Sequence, residues 1–354
     1  MKPLTILGIA ILSLTGIVVV FLTIVIFSPF FTVAKQPVQK EKQIDNPVPS
    51  CREDVRFRVD DTDIAAWLYL PDNRSEPLAC VVMGAGFGGT KQVTLEKYAL
   101  RFAGQGIAVL SIDFRHFGFS DGEPRQLFSI EKQLEDYRAA IAYARTRKEI
   151  DPEKIIVWGT SASGGYGLVL AASDKKIACV IGQCPALDRT EDARKAVERE
   201  GTGIYLRLFV HALRDQGRAV FGLSPHTFPI VGKPGTMAVQ RTPGAFEAYS
   251  RLAYRSETFR NELCARSMLY LGKQYNPIDY ADRVECPVLL LIAEKDDLIS
   301  QASHQNTARI LGDHAHVKTY PAGHFEIYEG ENFEKTAFDQ IAFIKKSLIM
   351  DSAN

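Results

Sequence analysis

The run Ile155-Ile156-Val157-Trp158-Gly159-Thr160-Ser161-Ala162-Ser163-Gly164-Gly165 decides how the rest of the chain is read. β-branched and aromatic residues of strand length enter a turn of small residues, and an apolar helical period continues through Leu168 and Ala172. This order of strand, turn and helix is the context of a nucleophile elbow. There a serine on a strained turn exposes its hydroxyl, and its neighbours two places away must be small for strand and helix to close. Gly159 and Ser163 occupy those places around Ser161, so the run departs from G-x-S-x-G only at its last position. Ser163 stays open as a rival nucleophile, and a Gly/Ser turn that merely packs tightly is the plain alternative.

Outward from this turn, short apolar runs alternate with helical periods. Strands are expected at 80–83, 107–112, 155–158, 178–181, 288–292 and 317–320, and an opening antiparallel hairpin at 55–59 and 64–70. Two amphipathic helices are clear, one with Ile130, Leu134, Tyr137, Ile141 and Ala144 on a face, the other with Phe333, Ala337, Ile341, Ile344 and Leu348. Such alternation predicts an α/β fold with a mostly parallel central sheet flanked by helices. Residues 189–285 hold no convincing buried strand. They read as a helical cap inserted between two parts of the core, 53–188 and 286–354, over the carboxyl ends of the strands, where open α/β sheets bind ligands.

A serine nucleophile needs a base and an orienting acid. His324 follows the last expected strand in Tyr320-Pro321-Ala322-Gly323-His324-Phe325, a setting that the other histidines lack. Asp296 follows the run 288–292, with Asp297 beside it as the alternative. Each alone reads as a solvated loop residue. Together Ser161, Asp296 and His324 stand in the order Ser, Asp, His, each at the carboxyl end of a strand on one sheet edge.

Residues 53–350 resemble the α/β-hydrolase superfamily, and within it esterase-like members similar to the polyketide transferase-like hydrolases. The resemblance rests on Gly84-Ala85-Gly86-Phe87-Gly88-Gly89-Thr90-Lys91, Asp113-Phe114-Arg115-His116-Phe117-Gly118-Phe119-Ser120-Asp121-Gly122, the Ser161 turn, Ala293-Glu294-Lys295-Asp296 and Gly323-His324-Phe325. Ala85 stands where the family usually has the histidine of H-G-F-G. The resemblance implies an oxyanion hole made by the backbone N–H groups of Phe87 and Ala162. The expected activity is cleavage of an ester or thioester in a small-molecule acyl substrate through a Ser161 acyl-enzyme, with no metal or organic cofactor. Acyl transfer from the same intermediate, a peptidase and a non-catalytic binding protein are the alternatives. So is a dinucleotide-binding enzyme, since Gly84 to Gly89 also fits G-x-G-x-x-G and Asp113 lies 24 residues past Gly89.

With 42 Lys+Arg against 42 Asp+Glu in 354 residues, the net charge is zero, which argues against nucleic acid as a partner. The six cysteines form no C-x-x-C pair and no Cys/His cluster, so no metal site is expected. Residues 4–31 carry no charge, a run longer than the roughly 20 residues that span a bilayer. They predict a transmembrane helix within 1–34 and a single-pass membrane protein, with a cleaved signal peptide as the rival. Residues 35–52 then read as a linker, and Lys35, Lys40 and Lys42 after the span, against Lys2 before it, lean the catalytic part towards the cytoplasm. The cap aromatics Phe209, Phe221, Phe228, Phe246 and Tyr249 either line an acyl pocket or form the core of the cap. The cap is expected to set substrate choice without supplying the chemistry.

Overall fold

The computed structural model describes residues 3–41, 48–72, 77–271 and 275–351, with side chains described from 12 to 349 within those ranges. The first elements are α1 (Pro3–Phe27), β1 (Arg52–Val59), β2 (Thr62–Tyr69), β3 (Leu78–Gly84), α2 (Lys91–Ala103), β4 (Ala108–Ile112), α3 (Ile130–Thr146), β5 (Ile150–Thr160), α4 (Tyr166–Ser173) and β6 (Ile177–Gln183). Then come α5 (Arg189–Glu200), α6 (Thr202–Val220), β7 (Thr227–Phe228), α7 (Ala245–Ala253), β8 (Leu263–Cys264) and α8 (Ser267–Leu271). The chain returns to the sheet with β9 (Val288–Ala293), α9 (Gln301–Leu311), β10 (Ala315–Tyr320) and α10 (Gly330–Asp351).

Eight strands form one sheet in the order β1-β2-β4-β3-β5-β6-β9-β10, and only β2 runs against the others. The parallel strands are apolar on both sides because successive side chains point to opposite faces and helices cover both. Cys80, Val82, Leu110, Val157 and Leu290 belong to the core on one face, and Val81, Met83, Val109, Trp158 and Leu291 to the core on the other. The parallel register brings the carboxyl ends of β3, β5, β6, β9 and β10 to a single edge. Between β6 and β9 the chain leaves the sheet for α5 to α8, and β7 and β8 pair only as Thr227↔Cys264 and Phe228↔Leu263.

The apolar N-terminal run has a different outcome from the membrane span that its composition predicts. Among the described residues, no helix is long and apolar enough to cross a membrane, so the transmembrane anchor, the membrane contact through 4–31 and the single-pass localisation are not supported. The end of α1 instead docks on α6. Val25 is buried, Arg214 of α6 donates to the carbonyls of Val25 and Ile26, and a Cβ at Gly217 would lie 2.4 Å from Ile26 Cδ1. Arg214 thereby satisfies carbonyls that have no acceptor role left within the helix.

Residues 35–41 of the expected linker are also held. Lys35 pairs with Glu262 at 3.1 Å, Asn261 Nδ2 donates to Gln36 O at 2.7 Å, and Glu41 N donates to Tyr254 O at 3.0 Å. Val38 packs there against the core, but the other contacts run through backbone groups and charges, so the sequence shows no apolar period. Residues 42–47 of that stretch lie outside the described residues.

Candidate active site

β5 ends at Thr160, and Ser161 takes φ 52°, a left-handed conformation that an L-residue adopts only under constraint. The constraint is local. A Cβ at Gly159 would lie 2.1 Å from Ser163 O, so the turn closes only over glycine. The Ser163 hydroxyl accepts from Thr160 N at 2.9 Å and donates to Gly84 O at 2.8 Å, tying the turn to the end of β3. Ser163 is fully buried, with its hydroxyl committed to backbone partners.

His324 lies in the loop after β10. Lys295 N donates to Ala322 O at 3.0 Å and Glu294 N to Tyr320 O at 2.9 Å, extending the β9–β10 pairing so that the two following loops stay side by side. His324 Nε2 sits 3.1 Å from Ser161 Oγ, and His324 Nδ1 sits 2.7 Å from Asp296 Oδ2. The other carboxylate oxygen, Asp296 Oδ1, accepts from Leu298 N at 2.8 Å and Ile299 N at 2.9 Å. Asp297 sits beside this pair and accepts from Arg199 through its backbone carbonyl.

Ser161, Asp296 and His324 are 8%, 5% and 3% exposed. Burial disfavours the charged form of His324, but the Asp296 carboxylate and its hydrogen bond outweigh it and hold the imidazole above its ordinary value. Burial likewise pushes the Asp296 carboxyl up, and the opposing pull of His324 and of the Ile299 and Leu298 amides leaves it below the usual carboxylate range. The two shifts agree in favouring an imidazolium–carboxylate pair.

A cavity of about 30 Å³ opens on Ser161 and His324, with Phe87, Val93, Tyr249, Leu252, Phe325 and Tyr328 among its walls. The Phe87 loop lies against the serine, since a Cβ at Gly86 would be 3.2 Å from Ser161 Cβ. Ala162 is the second residue of the short helical turn Ser161–Gly165, where the first amides have no partner within the helix. Of the cap aromatics, Tyr249 reaches this cavity, Phe228 is buried in the core and Phe209 and Phe221 are exposed.

Cavity walls missing from the sequence reading are Val93, Thr94, Gln240, Leu252 and Tyr328. Tyr328 hydrogen-bonds Thr160 beneath the elbow. Only its apolar period could have flagged Leu252, and that period fits any buried helix face.

Among the described residues, one group could hold a metal ion: Cys184, Asp296 and His324 offer ligand atoms within 4.8 Å of one another. The fit is poor. Asp296 and His324 are already bonded to each other, and burial with the nearby Asp296 charge holds the Cys184 thiol well above its ordinary value, against the thiolate that a metal needs. The dinucleotide alternative also loses its acid. Asp113 is buried, pairs with Lys91 Nζ at 2.5 Å and accepts from the Lys91 and Phe119 amides, so it is not free to hold a ribose.

The chain is 37% identical to the quorum-quenching protein AidA of Acinetobacter baumannii over 85% of its own length and 97% of that protein's. It is 30% identical to the polyketide transferase ATR5 of Stachybotrys chlorohalonatus, covering 84% and 98% of the two chains. Among solved structures it resembles the α/β hydrolase GrgF from Penicillium sp. sh18, with a TM-score of 0.68, 22% identity and coverage of 84% and 98%, a likeness of fold. The sheet, the elbow turn and a family match over residues 75–331 agree, and the chain belongs to the Hydrolase_4 family (serine aminopeptidase, S33) of α/β hydrolases.

Proposed function

We propose that the protein is a serine hydrolase that cleaves an ester or thioester of a small-molecule acyl substrate through an acyl-enzyme on Ser161. One observation carries this reading, the unbroken chain of hydrogen bonds from Ser161 Oγ through His324 to Asp296 beside a cavity. Ser161 Oγ attacks the acyl carbonyl carbon while His324 Nε2 takes the hydroxyl proton. The Phe87 and Ala162 N–H groups receive the charge that develops on the carbonyl oxygen. When the carbonyl re-forms, the bond to the alcohol or thiol breaks and His324 returns the proton to it. A water, deprotonated in turn by His324, then releases the acid and restores Ser161. Asp296 keeps the imidazole in the required tautomer and stabilises its charged form.

The name of the Stachybotrys relative, a polyketide transferase, favours a second reading in which an alcohol or amine replaces that water. A fluorophosphonate that labels the wild type and spares Ser161→Ala tests the nucleophile. Turnover of p-nitrophenyl esters and an acyl-thioester, with and without an added alcohol or amine, separates hydrolysis from transfer. Labelling that survives in Ser161→Ala overturns the proposal.

A further inference from the structure

Helix α5 has no apolar reason to sit where it does, because none of its residues from Arg189 to Glu200 is buried. A helix polar all round is held by polar contacts. Asp192, Lys195 and Arg199, spaced by three and four residues, share one face and meet one target, the turn after β9. Lys195 Nζ donates to Asp296 O and to Ile299 O, each at 2.7 Å. Asp192 Oδ1 accepts from Ser300 N at 2.8 Å, and Arg199 donates to Asp297 O. The inside of the same turn is closed by Asp296 Oδ1 on the Leu298 and Ile299 amides, which leaves Oδ2 for His324. The lysine ammonium therefore ties together the two ends of the four-residue turn that orients the carboxylate.

We infer that α5 braces the acid of the site and that Lys195, bridging the Asp296 and Ile299 carbonyls, is a positioning residue that keeps Asp296 Oδ2 aimed at His324 Nδ1. The inference rests on the reading of Ser161, His324 and Asp296 as the catalytic relay. It gives the inserted segment a part in the chemistry beyond shaping the substrate pocket. A catalytic geometry set by a distant contact loses rate when that contact loosens, although the reacting groups are all still present.

The sign of the His324 titration separates positioning from simple charge. His324 faces Asp296, Asp297 and Asp192, all of which favour its protonation, and it lies in the field of His304, which also feels Lys195. Removing the Lys195 charge alone makes His324 easier to protonate. Loosening Asp296 makes it harder.

The experiment uses the full chain with Lys195→Met and Lys195→Arg. It reads the His324 titration by NMR, kcat and KM on a p-nitrophenyl ester, and the melting temperature. In Lys195→Met the His324 midpoint should fall by about one unit. Its kcat should fall roughly tenfold to a hundredfold with KM little changed, and Lys195→Arg should restore most of both. A midpoint that stays or rises, with kcat within about twofold of wild type, overturns the brace. If Lys195→Met does not fold, Arg199→Gln loosens the same turn at the Asp297 carbonyl and, like it, removes a positive charge; a lowered midpoint there upholds the brace and an unmoved or raised one overturns it. Turnover surviving in Ser161→Ala while the midpoint falls in Lys195→Met would sink the serine mechanism and leave the brace standing. An essential Ser161 with an unmoved midpoint would sink the brace alone.

Discussion

The two turns that meet at His324 are built in opposite ways. The Ser161 turn is shaped mainly from within, by a positive φ, by a glycine that leaves room for Ser163 O and by the Ser163 hydroxyl folded back onto Thr160 N. The Asp296 turn is also closed from outside, by a lysine 101 residues earlier in the chain. Backbone sterics imposed by adjacent residues survive most changes elsewhere, whereas a turn held by a distant ammonium depends on where a whole helix docks. The serine turn should therefore be rigid and the acid turn adjustable.

Substitutions that remove the reacting groups should produce the largest effects. Ser161→Ala should lower kcat by about 10⁶-fold while the melting transition persists, since members of such a relay act as a unit. Asp296→Asn should cost about 10⁴-fold, because the neutral amide no longer enforces the tautomer. Full activity in either variant, measured on a p-nitrophenyl ester, would remove the basis for comparing the turns as parts of one site.

Gly159→Ala probes the self-contained turn. Its Cβ would meet Ser163 O, so it should destabilise the fold by roughly 2–4 kcal/mol in a urea titration and abolish labelling at Ser161. A stable, labelled Gly159→Ala protein would mean that the serine turn is not held by the steric closure assigned to it.

The pH profile sharpens the other half. Only the neutral imidazole can accept the serine proton, and Asp296 holds His324 above its ordinary value of about 6.5. The acid limb of kcat/KM should thus lie above that value, activity falling as pH drops through it, and Asp296→Asn should move the limb to lower pH. A wild-type limb below 6.5 would show that Asp296 does not govern His324 in solution. The smallest effect belongs to the cavity wall. Leu252→Ala should shift the preferred acyl chain length by about 0.8 kcal/mol per methylene accommodated, read as ratios of kcat/KM across esters, with labelling of Ser161 retained.

The parallel strands were legible because burial on both faces leaves nearly continuous apolar runs. The expected runs 80–83, 155–158 and 288–292 lie inside β3, β5 and β9. The elbow was legible because its small residues are contiguous. The N-terminal run was misread because apolar composition does not say which of its residues find protein partners: at the end of α1 they do, while Leu12, Ile17 and Phe27 are exposed. Val25 and Ile26 pack on α6, around a glycine that no N-terminal residue announces. The cap aromatics were ambiguous on the same ground, and the structure divides them among core, cavity and surface.

By itself, then, the sequence determined the α/β sheet, the placing of the Ser161 turn at a strand end and the candidate order of Ser161, Asp296 and His324, all of which follow from residue type at short range and from strand polarity. Only the tertiary structure decided what lies against the end of α1, which side chains wall the cavity, and that Asp192, Lys195 and Arg199 close on the acid turn. Those contacts join residues far apart in the chain, and a charged helix face carries no local signal of the partner that it will meet.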